Sequence, residues 1–161
     1  MDTRQYNEAV EAHSDALYRY AARHLRDRDT AKDIVQDCFL RMWMCLDRVD
    51  ATKVRSFLFT VAHHRIVDHV RRHKYLARYE PWHGHTLTVF QPEAGLKDAI
   101  EQGLNQLSAQ QRSLVLLRDH EGFSYIEMAA ITGLSVEQVK VYLFRARSAM
   151  KHALVELRQV A

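Results

Sequence analysis

The sequence predicts an all-α protein made of two small helical domains joined by a flexible linker. Three observations carry this reading. Residues 1–80 of the 161-residue chain contain neither glycine nor proline. A sheet protein needs turn residues about every ten positions, so such a stretch calls for long helices and excludes a sandwich, a barrel or a Gly-loop nucleotide fold. Apolar residues recur at steps of three and four before residue 74 and again after residue 95. Between these limits the helical period is lost, and both prolines (Pro81, Pro92) and two of the five glycines (Gly84, Gly95) gather there, as in a tether. The length suits one ordinary domain or two small ones.

The elements follow in order. Tyr6, Val10, His13, Leu17, Tyr20, Ala21 and Leu25 mark an amphipathic helix over about 3–26. After the polar break Arg26–Asp29, Asp29 or Thr30 is placed to cap a second helix carrying Ala31, Ile34, Val35, Cys38, Phe39, Met42, Trp43 and Leu46. A further polar break at 47–52 precedes a third helix, to about His73, with Val54, Phe57, Leu58, Val61, Ala62, Ile66 and Val70 inward. These three helices form a first domain over 1–73, and 74–95 is the linker, with an apolar spot at Leu87–Phe90. The second domain, 96–161, holds four helices near 96–106, 109–121, 125–132 and 136–157. Three capping boxes start the last three: Ser108 with Gln111, Ser124 with Glu127, and Ser135 with Gln138. Gly122 and Gly133 stand where helix ends take left-handed backbone.

Charge is distributed unevenly although the net is only +3. Arg65, Arg71, Arg72, Lys74 and Arg78 face a single acid, Asp68, and Lys140, Arg145, Arg147 and Lys151 face none. Two separate basic segments suggest two contacts with a polyanion. The second helix, with Asp33 and Asp37 and acids on both flanks, suggests a basic protein partner. Residues 125–143 fit a helix-turn-helix: Ala129 is the small residue at the close approach and Gly133 the turn. Met128, Leu134, Val139 and Tyr142 seal the angle, and Thr132 is a weaker inward fit. The second helix of that motif can enter a major groove, with Ser135, Gln138, Lys140, Val141, Phe144, Arg145, Arg147 and Lys151 outward.

Three blocks in order resemble the small two-domain bacterial sigma factors of the extracytoplasmic-function group. They are Thr30-Ala-Lys-Asp-Ile-Val-Gln-Asp-Cys-Phe-Leu-Arg-Met-Trp43, Arg55 through Arg72, and Leu107-Ser-Ala-Gln-Gln-Arg112 through Arg147. The resemblance covers nearly the whole chain and implies sigma region 2 in the first domain and region 4 in the second. It implies binding to the clamp and flap of core RNA polymerase, with Asp33, Gln36, Asp37, Phe39, Arg41 and Trp43 on the clamp. It also implies melting and reading of the promoter minus-ten element, as single strand, by Lys53, Arg55, Ser56, His63, His64, Arg65, Asp68, Arg71 and Arg72. The helix-turn-helix residues above would read the minus-thirty-five element as duplex. Val141-Tyr142 stands where many relatives carry Ser-Arg. An anti-sigma factor is a further partner that the resemblance implies. A stand-alone helix-turn-helix regulator would leave the acidic second helix and the aromatic-basic third helix without a purpose.

No acid pair, nucleophile–base pair or phosphate-binding Gly loop points to an enzyme, and no cofactor is expected. His69 and His73 stand at i and i+4, but no third ligand with motif spacing accompanies them, so no metal is expected. With histidines near ~6.5, the cluster from His63 to His73 leads one to expect DNA affinity rising as pH falls from about 7.5 to 6. Cys38 and Cys45 lie two helical turns apart, too far for a disulfide. No apolar run approaches a membrane span. The expectation is a bacterial cytoplasmic protein, brought to the nucleoid through polymerase and not inserted in a membrane.

Overall fold

A computed structural model describes residues 1–79 and 95–160, with side chains through 76 in the first part and through 156 in the second. Most of the expected linker, including Pro81, Gly84, the Leu87–Phe90 spot and Pro92, lies outside the described residues. Among them all regular structure is helical: α1 (Thr3–Leu25), α2 (Arg28–Met44), α3 (Val54–Tyr79), α4 (Leu96–Gln106), α5 (Ala109–Val115), α6 (Tyr125–Thr132) and α7 (Val136–Val160). A 3₁₀ turn, Ala51–Lys53, leads into α3, and a π-helical turn, Leu116–His120, ends α5.

Local chemistry sets the helix ends. All three expected capping boxes form, each serine accepting from the backbone N–H three residues on while Gln or Glu accepts from the serine N–H. A fourth box, Asp2 with Gln5, starts α1. The cap of α2 is Asp27 rather than Asp29 or Thr30. Its carboxylate accepts from both of their backbone N–H groups and from the Thr30 hydroxyl at 2.7 Å. The third helix runs past His73 to Tyr79. No proline occurs before Pro81 to stop it. The expected single helix over 109–121 is instead α5 plus the π turn, in which Glu121 N–H reaches Leu116 O at 3.0 Å. Gly122 and Gly133 take φ of 73° and 77°, the left-handed backbone that glycine tolerates without a Cβ clash.

In the first module α1, α2 and α3 enclose Leu17, Ala21, Ile34, Cys38, Met42, Leu58, Ala62 and Ile66, all essentially buried. Each fully buried aliphatic side chain contributes about 1.5–3 kcal/mol of transfer free energy. Both cysteines are free thiols, and burial first of all pushes the Cys38 thiol up to about 12. In the second module Leu104, Leu114, Leu117, Met128, Ile131, Val139, Leu143 and Ala146 form the core beneath α7. Gly103 is buried where α4 packs on α7, and a Cβ there would stand in ordinary van der Waals contact with Met150 Cε at 3.5 Å.

The two modules are packed on one another, and their cores run together. Tyr20, Phe59 and Phe123 form an aromatic line across the joint, with centroids 5.3 and 4.9 Å apart. Around it Arg19 makes two bonds to the Glu121 carboxylate at 3.1 and 3.0 Å, and Arg23 meets His120. His24 Nε2 lies 2.7 Å from Ser113 Oγ, and Arg112 donates to His24 O at 2.7 Å. A tether between modules says nothing of such a joint, because its partners are far apart in sequence.

Candidate nucleic-acid interface

Three helical faces carry the residues singled out from the sequence. On α7 the inward series Val139, Leu143, Ala146 and Ala153 turns the opposite face outward. Gln138, Lys140, Val141, Phe144, Arg145 and Lys151 are all exposed there, Phe144 by 72%. An exposed phenylalanine beside two long cations on the second helix of a helix-turn-helix can meet a thymine methyl while the cations reach base edges or phosphates. Ser135 spends its hydroxyl on the cap of α7. Arg147 is engaged by Asp119 through both Nε and Nη2, which raises its pKa and leaves it less available for a phosphate than expected. Inside the motif Met128 and Val139 are buried and Thr132 Oγ1 donates to Met128 O at 2.7 Å, which satisfies its inward hydroxyl.

On α3, His64, Arg65, Arg71 and Arg72 form an exposed basic stripe, and Asp68 pairs with Arg71 at 2.7 Å. Lys53 is exposed at the preceding turn and Ser56 is half-buried. The stripe continues into Lys74 and Tyr75, which sequence reading assigned to the linker; Tyr75 is 60% exposed. Two expected members are placed differently. Arg55 is half-buried, its Cζ 3.9 Å from the Phe123 ring centroid and its Nη2 bonded to Glu121 O. His63 is buried, with Nδ1 3.4 Å from the Tyr20 hydroxyl. Burial pushes its pKa down to about 4, and His69 is also held below the ordinary value by burial and then by His73. The expected gain of positive charge between about pH 7.5 and 6 therefore does not extend to His63, and burial works against it at His69. The His69 and His73 rings stack at 4.2 Å, and no cluster of three potential metal ligands occurs among the described residues.

On α2, Asp33, Gln36, Asp37 and Arg41 lie on the outer face. Phe39, expected at the partner surface, belongs to the core at 8% exposure, because its position falls on the stripe of Ala31, Ile34, Cys38 and Met42. Trp43 is 48% exposed and meets Tyr6 edge-on at 5.0 Å. Leu40 and Met44, missed from the sequence, are exposed at 57% and 66% and extend the acidic row by steps of three and four. Exposed large apolar groups beside carboxylates make a surface suited to a basic, partly apolar protein partner.

Against known families, residues 9–75 match sigma-70 region 2 and residues 97–150 match sigma-70 region 4. The RNA polymerase sigma factor YlaC of Bacillus subtilis is 32% identical over 152 residues, covering 89% of this chain and 88% of its own. The extracytoplasmic-function sigma factor SigL of Mycobacterium tuberculosis is 31% identical over 156 residues, covering 90% and 86%. Among solved structures, the sigma factor RpoE bound to the anti-sigma factor NepR from Bartonella quintana has a TM-score of 0.80 at 24% identity, over 94% of this chain and 98% of that one, a likeness of fold. CnrH in complex with the cytosolic domain of CnrY has a TM-score of 0.73 at 26% identity, over 96% and 90%. The chain belongs to the sigma-70 family of RNA polymerase sigma factors, in its extracytoplasmic-function group. Proteins of this family are regulatory subunits that give RNA polymerase promoter-specific initiation. No described helix is long and apolar enough to cross a membrane.

Proposed function

We propose that the chain docks α2 on the clamp of the largest polymerase subunit, melts and reads the minus-ten element with α3, and reads the minus-thirty-five duplex with α7. The observation that carries this is the division of the surface. The acidic row Asp33, Gln36, Asp37 with Leu40 and Met44 suits a basic protein. The basic row His64, Arg65, Arg71, Arg72 with Tyr75 suits phosphates and unpaired bases. Lys140, Phe144 and Arg145 suit a major groove. The second module also touches the polymerase flap, and work proceeds in the cytoplasm. Arg55, a minus-ten candidate, is spent on Phe123 and Glu121 while the modules are together. Promoter opening therefore requires the modules to part. An anti-sigma protein is a fitting partner, as the similarly folded RpoE is solved in complex with the anti-sigma factor NepR.

The test is transcription with reconstituted core polymerase on a promoter library. Asp33→Lys with Asp37→Lys should weaken the complex with core polymerase about a hundredfold, the order of two lost charge-assisted contacts at about tenfold each. Arg145→Ala should leave that complex intact and lower promoter-specific transcripts. Absence of any complex between the wild-type chain and core polymerase at micromolar concentrations would overturn the reading.

A further inference from the structure

A cavity of about 680 Å³ opens at the joint between the modules, lined by Tyr18, Arg19, Arg23, Arg26, Arg28 and Lys97 together with Asp27 and Glu101. Five cations thus converge from three elements: the end of α1, the start of α2, and α4. Two of them are occupied, Arg19 by Glu121 and Arg23 by His120. Arg26, Arg28 and Lys97 have no carboxylate partner among the described residues. Of the two lining acids, Asp27 is committed to capping α2 through Thr30 and Asp29. Arg26 also holds a left-handed backbone, φ 57°, the one non-glycine among the described residues to do so. That conformation costs a non-glycine residue about 1–2 kcal/mol, and glycine would adopt it freely, so what arginine contributes here is its guanidinium.

A second cavity, about 240 Å³, shares Arg23, Lys97 and Glu101 with the first and is otherwise walled by Leu96, Ile100, Leu104 and His120. The cationic cavity and its smaller, more apolar neighbour have Arg23, Lys97 and Glu101 in common as lining, and side by side they suit an anion that carries a weakly polar group at one end. The larger chamber is within the range of about 300–1,000 Å³ typical of small-ligand sites and roomier than one phosphate needs. Guanidinium forks favour phosphate oxygens. A duplex backbone fits less well, since the site is concave.

We propose that this joint binds a chain of phosphates, carried by a nucleoside polyphosphate whose base enters the apolar chamber, and that the bound ligand holds the two modules together. Tyr18, Arg19, Arg23, Arg26, Asp27 and Arg28 belong to the first module, and Lys97, Glu101 and most of the apolar lining belong to the second, so the ligand bridges the joint. Its consequence for transcription rests on the function proposed above; its binding does not, and is measured without polymerase.

The experiment is calorimetric titration of the full chain near physiological salt, about 0.15 M, with ATP, GTP and sodium tripolyphosphate, and adenosine as the uncharged control. Saturable binding of the nucleoside triphosphates is expected, with adenosine silent. Arg26→Gly suits the left-handed backbone and should weaken binding about tenfold, the order of one lost charge-assisted pair. Lys97→Ala, on an exposed helix face, should do the same. Equal affinity for tripolyphosphate, still lost in both variants, supports the phosphate site and makes inorganic polyphosphate its source. No saturable heat from any of the three up to about 1 mM, where binding free energy is only about 4 kcal/mol, overturns the proposal. So does binding that both variants leave unchanged, or displacement by a nonspecific DNA duplex more readily than by tripolyphosphate.

Discussion

Lowering the pH from about 7.5 to 5 should destabilise the packed form through His24. The ring is 1% exposed, its Nε2 faces Ser113 Oγ at 2.7 Å, and its Nδ1 has no hydrogen-bond partner among the described residues. Burial, then the Arg112 guanidinium, then His63 push its pKa down to about 3. In the unfolded chain the ring titrates near ~6.5. Above that value it is neutral in both states and contributes no pH dependence. Below it the unfolded state takes up a proton that the folded state refuses. Stability then falls by about 1.4 kcal/mol per pH unit until the folded-state pKa is reached. At pH 5 the loss from His24 is about 2 kcal/mol, and this figure holds for any folded-state pKa well below 5. Urea unfolding of the wild type and His24→Gln at several pH values reads it directly. Glutamine keeps an amide for Ser113 and does not titrate. The stability difference between the two proteins should shift by about 2 kcal/mol in favour of the variant from pH 7.5 to 5. Profiles that stay parallel would refute the assignment of His24 as the titrating group.

Arg112 donates to the carbonyls of Leu104, His24, Asn105 and Leu107, at 2.9, 2.7, 3.4 and 3.3 Å. Lysine cannot reproduce that fork, so Arg112→Lys should cost about 2 kcal/mol and lower Tm by about 4–8 °C in a thermal melt. Gly133→Ala meets no atom within 4 Å of the new Cβ, but φ is +77°. It should therefore lose about 1 kcal/mol from backbone strain alone, while duplex binding measured well below the melting temperature stays unchanged.

Most of the helical framework was legible because its causes are local. The three serine caps, the two left-handed glycines and the outward face of α7 each follow from residues within one or two turns. The end of α3 was misplaced because the apolar stripe fades after Val70, whereas the helix persists on backbone propensity to Tyr79, just short of Pro81. The register of Phe39 with Ala31, Ile34, Cys38 and Met42 sends it inward, whereas the resemblance implies a share in the partner surface as well; at 8% exposure the side chain is core. Leu40 and Met44 carried a signal that was not used: apolar residues at steps of three and four from Asp33 and Asp37, on the face opposite the core stripe. Nothing local marks the π turn at 116–120, and the turn is followed directly by Glu121, which pairs with Arg19 across the joint.

The sequence by itself determined the helices, the two modules and which helix faces are turned to solvent, since a 3.6-residue period states which side of each helix avoids water. Only the tertiary structure decided which buried side meets which. Arg19 and Glu121 are 102 residues apart, and His24 and Ser113 are 89 apart. No periodicity spans such distances. The joint is chosen instead by the shared burial of Tyr20, Phe59 and Phe123, and by the polar groups around them that find hydrogen-bond partners across it. That choice turns Arg55 and His63 away from solvent, and it brings Arg26, Arg28 and Lys97 around one cavity.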